Sequence, residues 1–182
     1  MNKITAFIPA RGGSKGIPEK NIKKFAGKPL LVHSIEYALN CNQIDEVVVS
    51  TDDDKIAKIA RKAGAKIVKR PPELSTDQAT TESAIHHFVN KSNNKPDIIV
   101  LLQPTSPYRP KGSLEKAITH FTENGFDFFI NSKSHYNDNF ITKWLIDLGI
   151  NKKAEKHNMM AEKIYIEKLI KNKKVIQLKE YL

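Results

Sequence analysis

The chain has 182 residues, of which 40% are hydrophobic and 27% charged, and this composition predicts one soluble globular domain with a sizeable core. The formal net charge of +10 at pH 7 favours phosphorylated or polyanionic partners. The single cysteine, Cys41, excludes an intrachain disulfide, and no stretch approaches the roughly 20 apolar residues that a membrane-spanning helix needs.

Short apolar runs alternate with amphipathic segments along the chain. Helical spacing of apolar residues predicts helices, and continuous β-branched runs predict buried strands. In chain order, strands are predicted at 4–10, 46–52, 65–70, 97–103 and 126–132. The helices predicted between them lie at 29–40, 52–64, 80–92 and 111–125. The alternation predicts an α/β fold of three layers, with a mostly parallel sheet between helices on both faces.

Four polar loops follow the first four predicted strands, at 11–21, 50–53, 70–77 and 103–109. In open parallel sheets, ligands bind beyond the carboxyl ends of the strands. These loops are therefore predicted to meet at one edge of the sheet and to form a binding site.

The first of these loops contains RGGSKG, which matches neither the phosphate-binding P-loop nor the dinucleotide fingerprint. Its glycines allow backbone N–H groups to approach an anion closely. Arg11, Lys15 and Lys20 have the charge to contact phosphate oxygens. The loop alone is compatible with a phosphate site or with a solvated basic turn.

The other loops add polar side chains with two possible roles each. Asp52 and Asp53 suit ribose hydroxyls or, with more weight, the cap of the following helix. Arg70, beside two prolines, is a candidate phosphate or base contact. The amide of Gln103 has the donor and acceptor needed to contact a base edge, and equally suits a backbone group at the strand end.

Three segments together resemble the acylneuraminate cytidylyltransferases over roughly residues 3–132: IPARGGSKGIPEKNIKKFAGKPLLVHSIEYAL, VVVSTDDDKIAKIARKAGAKIVKRPPELSTDQATT and LLQPTSPYR. The resemblance implies a Rossmann-like fold of the nucleotide-diphospho-sugar transferase type. It also implies a reaction in which CTP and a nonulosonic (sialic-type) acid give a CMP-sugar and pyrophosphate, with Mg²⁺. A homodimer is implied as well. Members that activate pseudaminic or legionaminic acid share these segments, so the sugar acid stays open.

The resemblance also implies roles for individual residues. Arg11 and Lys20 would be catalytic, and Gln103 would lie near the sugar acid. The nucleotide-binding residues would be Arg11, Gly13, Ser14, Lys15, Asn21, Arg70, Thr80 and Thr81. Cationic side chains in such positions suit phosphoryl transfer, which depends on positioning and on neutralising charge.

The resemblance weakens beyond residue 132. Residues 1–132 are predicted to form the nucleotide-binding core, and residues 133–182 a divergent, shortened remnant of the family's dimerisation and sugar-side region. Ala161 and Glu162 stand where the family has Asn-Gly, and no Asp-x-Asp pair follows to hold Mg²⁺. The metal ligands are therefore unassigned. The alternative function is a truncated, weak or inactive member that still binds nucleotide.

The lysine-rich end of the chain carries nine lysines, four glutamates and no arginine from Lys152 onward. Because arginines and interleaved aromatic residues are largely missing there, nucleic acid is not an expected partner. A membrane is not expected either. The first apolar run is too short for a signal peptide, which predicts a cytoplasmic location.

Overall fold

Strands and helices alternate as the sequence predicts. The computed structural model describes residues 2–14 and 16–124, together with the backbone of three later strands. The elements are β1 (Ile4–Pro9), β2 (Lys24–Phe25), β3 (Lys28–Pro29), α1 (Leu30–Leu39), β4 (Glu46–Thr51), α2 (Asp54–Lys62), β5 (Lys66–Lys69), α3 (Thr81–Lys91), β6 (Ile98–Leu102), α4 (Ser113–Glu123), β7 (Phe128–Ile130), β8 (Lys163–Tyr165) and β9 (Lys174–Lys179).

The main sheet has seven strands in the order β5-β4-β1-β6-β9-β7, and β8 pairs with β9. All pairings along that order are parallel, whereas β8 and β9 are antiparallel. In the register, Phe7 of β1 lies opposite Val48 of β4 and Leu101 of β6. The predicted mostly parallel sheet is confirmed, and β1 lies between two buried strands.

Helices cover both faces of this sheet. Alternate residues of β1 point to opposite sides because side chains in a strand have a period of two. Ile8 belongs to a core cluster that includes residues of α1, α2 and α4. Phe7 belongs to a second cluster with α3, where its ring stacks on Phe88 at a centroid distance of 5.4 Å. The three predicted layers are therefore present.

Two parts of the fold differ from the sequence prediction. The strands β2 and β3 form a small antiparallel hairpin that was not predicted. Its turn residues Ala26 and Gly27 both have positive φ, at 44° and 84°, as two-residue hairpin turns require. The lysine-rich end, for which no element bounds were predicted, contributes β9, and β9 lies between β6 and β7.

Several sequence predictions fall outside the described residues. These are Lys15, Ala161, Glu162 and most of the predicted segment 133–182. The boundary at residue 132 stays a prediction. None of the helices in the described part of the chain has the length and apolar character needed to cross a bilayer.

The single cysteine provides a direct test of the core. Cys41 is 3% exposed, and burial raises the pKa of its thiol to about 11. At pH 8 only about one such thiol in a thousand is ionised, and the thiolate is the reactive form. We expect iodoacetamide to modify Cys41 at least about 100-fold more slowly in the native protein than in denaturant, measured by mass spectrometry. Equal rates would show that this part of the core is open.

Candidate functional site

A cavity of about 270 Å³ opens at the edge of the sheet where β1 and β6 end. Three loops form its walls, namely those after β1, β5 and β6, and the loop after β5 leads into α3. Its lining residues are Pro9, Arg11, Ser14, Lys20, Asn21, Arg70, Asp77, Ala79, Thr80, Thr81, Gln103, Pro104 and Thr105. The loop after β4 does not line the cavity, but its Asp52 contacts the loop after β1.

Most of the residues that the sequence singled out come together here. Of the ten residues with a predicted catalytic or binding role, eight line the cavity. Gly13 lies in the loop after β1 but does not line the cavity, and Lys15 is outside the described residues. Their roles in binding stay predictions. Two further lining residues, Pro104 and Thr105, had no predicted role. Both lie directly after Gln103 in the segment LLQPTSPYR, which was the available signal.

Short polar contacts hold the backbone of the loop after β1. The buried side chain of Asn21 donates from Nδ2 to the carbonyl oxygen of Arg11 at 2.9 Å. The N–H of Gly12 donates to Oδ1 of Asp52 at 3.0 Å. A Cβ atom on Gly12 would lie 2.8 Å from Cβ of Asp53. Asn21 and Gly12 thus have structural roles that determine the position of Arg11.

Arg11 connects two walls of the cavity. Its Nη1 donates to the carbonyl oxygen of Thr76 at 2.6 Å, and its Nη2 lies 2.7 Å from Oδ1 of Asp77. Both side chains of the ion pair are about one third exposed, at 32% and 33%. Solvent screening therefore keeps the energy of the pair modest, and its main effect is to orient the guanidinium across the cavity.

Arg70 brings a buried cation to the cavity. The residue is 6% exposed, and its guanidinium donates to two neutral oxygens of Ser50, from Nε to Oγ at 3.1 Å and from Nη2 to the carbonyl oxygen at 2.9 Å. Burial lowers the pKa of Arg70, and the nearby Arg11 cation lowers it further, whereas the Asp52 carboxylate raises it. Because arginine stays protonated in proteins, this environment favours an incoming anion.

The start of α3 adds a second feature that favours anions. Thr80 is the N-cap, and its Oγ1 accepts a hydrogen bond from the N–H of Ser83 at 3.1 Å. Thr80 and Thr81 line the cavity, so the amino end of α3 lies at its wall. The dipole and the free N–H groups of a helix start stabilise negative charge. The predicted hydroxyl contacts therefore lie beside a helix terminus suited to phosphate.

The acids of these loops are already engaged. Asp52 accepts from Gly12, Asp53 caps α2 by accepting from the N–H of Ile56 at 2.9 Å, and Asp77 pairs with Arg11. The described residues contain no group of three or more histidine, cysteine, aspartate or glutamate side chains that could hold a metal ion. Mg²⁺ usually takes one or two protein carboxylates together with substrate phosphates, and each of these three carboxylates already has a protein partner.

The cap at Asp53 can be tested by substitution. Asp53→Ala should lower the free energy of unfolding by about 0.5–2 kcal/mol, because the first turn of α2 loses its acceptor. Asp53→Asn is the matched control, since asparagine caps about as well as aspartate. Urea unfolding measures both. Equal stability of the alanine variant and the parent would contradict the capping role.

Gln103 stands at the third wall, one residue after β6 ends. Its carbonyl oxygen accepts from the N–H of Ser106 at 3.1 Å and from Nη2 of Arg109 at 2.9 Å. These bonds close a turn that presents Gln103, Pro104 and Thr105 to the cavity. Gln103 thus lines the same cavity as Arg11, Arg70 and Lys20.

Comparison with known proteins gives a consistent group of relatives. A family model described as cytidylyltransferase matches residues 5–175. The chain is 44% identical over 124 residues to N-acylneuraminate cytidylyltransferase A of Danio rerio, covering 68% of this chain and 29% of that one. It is 42% identical over 130 residues to a pseudaminic acid cytidylyltransferase of Campylobacter jejuni, covering 69% and 56%. The chain thus spans between about a third and about half of the lengths of these two relatives.

Solved structures show the same fold. The chain is similar to a CMP:2-keto-3-deoxy-manno-octonic acid synthetase complexed with CTP, with a TM-score of 0.62 at 25% identity and coverage of 70% and 51%. A cytidylyltransferase of Leptospira borgpetersenii gives a TM-score of 0.58 at 26% identity, with coverage of 72% and 54%. The predicted Rossmann-like class is therefore confirmed.

Proposed function

The chain belongs to the cytidylyltransferase family, as its sequence resemblance indicated, and on that premise we propose that it transfers the cytidylyl group of CTP to a nonulosonic, sialic-type acid. The activity of the whole enzyme is a proposal because the chain spans 29% of the Danio rerio relative and 56% of the Campylobacter jejuni one. The sugar acids in the names of these relatives support the substrate class.

The observation that carries this proposal is the cationic cavity at the carboxyl edge of the sheet. Arg11, Lys20 and Arg70 line it together with the amino end of α3. A nucleoside triphosphate brings several negative charges, and preorganised cations and N–H groups neutralise them most effectively in a partly buried site. The cavity therefore suits the triphosphate of CTP better than a neutral ligand.

In the proposed reaction, the anomeric hydroxyl of the sugar acid attacks the α-phosphorus in line. The hydroxyl passes its proton to water, a bond forms between the sugar oxygen and the α-phosphorus, and the bond from the α-phosphorus to the oxygen that bridges it to the β-phosphate breaks with departure of pyrophosphate. Arg11 and Lys20 stabilise the charge on the reacting phosphates, and Arg70 with Asn21, Thr80 and Thr81 holds the nucleotide. Phosphoryl transfer needs mainly this positioning and charge neutralisation.

Three finer points belong to the same proposal. Mg²⁺ is implied by the sequence resemblance; the described residues contain no cluster of three or more potential metal ligands, and no step is assigned to the ion. A homodimer is implied in the same way and is tested by light scattering on the purified chain. A cytoplasmic location is part of the same proposal and is tested by fractionation.

The proposal is tested by incubating the protein with CTP, Mg²⁺ and each of a panel of nonulosonic acids, and by measuring the pyrophosphate released from CTP. We expect release with at least one acid. Lys20→Met should reduce the rate at least about tenfold, because a charge-assisted contact to phosphate is lost. Lys23→Met is the matched control, since Lys23 is exposed and outside the cavity lining. Folded protein that binds CTP but releases no pyrophosphate would overturn the transfer step and leave a nucleotide-binding protein.

A further inference from the structure

Arg109 is a buried arginine that the proposed reaction does not use. It is 8% exposed and lies on the loop between β6 and α4. Its Nη1 donates to Oγ of Ser34 at 3.1 Å, and its Nη2 donates to the carbonyl oxygen of Gln103 at 2.9 Å. Its Cζ lies 5.4 Å from the centroid of the Tyr37 ring. One guanidinium thus joins α1 to the end of β6.

This junction is rigid on the helix side. Ser34 is completely buried in α1, and Tyr37 lies almost one turn farther along the same helix. A guanidinium is costly to bury unless hydrogen bonds and ring contacts compensate it, so it adopts the geometry that satisfies these partners. The carbonyl of Gln103 is therefore fixed relative to α1.

The fixed carbonyl belongs to a wall of the cavity. It also accepts from the N–H of Ser106 at 3.1 Å, which closes the turn at the end of β6. Gln103, Pro104 and Thr105 line the cavity, whereas Arg109 does not. The contact of Arg109 with this turn therefore links it to the cavity wall.

We propose that Arg109 is a positioning residue that fixes the Gln103–Thr105 wall and thereby the direction of the Gln103 amide. Only the effect of Arg109 on the kinetics rests on the proposed function. Lysine cannot replace arginine here, because a single ammonium lacks the planar fork that reaches Ser34 and the Gln103 carbonyl together. Arg109 thus controls how the amide meets its ligand without touching that ligand.

The positioning role is tested without ligand by amide hydrogen exchange. Arg109→Met should accelerate exchange of the Ser106 N–H by about tenfold, the change expected from losing one charge-assisted bond at the turn. Amides of β4 and α2 should be unchanged. Arg109→Lys retains the charge and serves as the second variant if Arg109→Met does not fold. It should also accelerate exchange of the Ser106 N–H. Unchanged exchange at Ser106 in the folded variant would overturn the inference.

The kinetic consequence is tested with Gln103→Ala, Arg109→Met and the double variant. If Arg109 acts through Gln103, the double variant should lose no more substrate affinity than Gln103→Ala alone, and the same KM should rise in both single variants. Additive losses would overturn action through Gln103. If the parent binds no CTP, the proposed function fails, while the exchange result at Ser106 still decides whether Arg109 fixes the turn.

Discussion

Replacing Arg70 with methionine is expected to weaken CTP binding by about 10- to 100-fold, because hydrogen bonds to charged groups are worth about 1.5–3 kcal/mol. Arg70 is 6% exposed and lines the cavity, so solvent screens its charge little. Its guanidinium is held by two bonds to Ser50, which leaves the cation preorganised for an anion. Isothermal calorimetry with CTP measures the loss.

The matched control is Arg61→Met, which removes the same charge from an exposed position of α2 outside the cavity lining. It should bind CTP like the parent, which separates a local contact from an effect of the net charge. Arg70→Lys should lie between the two variants, since a lysine keeps the charge but not the fork to Ser50. Equal CTP affinity of Arg70→Met and the parent would exclude Arg70 from the binding site.

Replacing Gly12 with alanine is expected to lower the free energy of unfolding by about 1–3 kcal/mol, as overpacking of a tight contact does. The new Cβ would lie 2.8 Å from Cβ of Asp53 and 2.9 Å from its Oδ2, so the loop or the cap must shift. A shift would also disturb the bond from the Gly12 N–H to Asp52. Urea unfolding measures the stability, and calorimetry the accompanying loss of CTP affinity.

Gly13→Ala provides the stability control for this substitution. A Cβ on Gly13 would meet no atom within 4 Å, so its free energy of unfolding should stay close to that of the parent. The two neighbouring glycines thus separate a steric effect from a general stiffening of the loop. If both variants were equally stable, the close approach of the first loop to Asp53 would be wrong.

The fold could be predicted largely from the sequence because its central strands are continuous apolar runs. β1, β4 and β6 are buried on both faces, and the helices between them show clear periodicity. Polar loops at the carboxyl ends of such strands must meet at one edge. That geometric rule predicts that Arg11, Arg70 and Gln103 lie at the same edge, and the three residues line one cavity there.

Contacts between distant residues could not be predicted in the same way. The bond from Arg11 to Thr76 joins residues 65 positions apart, and the bond from Arg109 to Ser34 joins residues 75 apart. No local pattern encodes such pairs. The hairpin of β2 and β3 was missed because its turn uses Ala26 instead of the asparagine or glycine that usually signals such a turn. The place of β9 between β6 and β7 depends on long-range strand pairing.

Binding of the CTP triphosphate in the cavity is tested by calorimetric titration of the parent, Arg61→Met and Arg70→Met with CTP and, for comparison, ATP. We expect the parent to bind one CTP per chain, more tightly than ATP. The CTP affinity should be retained in Arg61→Met and weakened by about 10- to 100-fold in Arg70→Met. No binding of CTP to the folded parent, or equal affinity of all three proteins for CTP, would contradict binding of the triphosphate in this cavity.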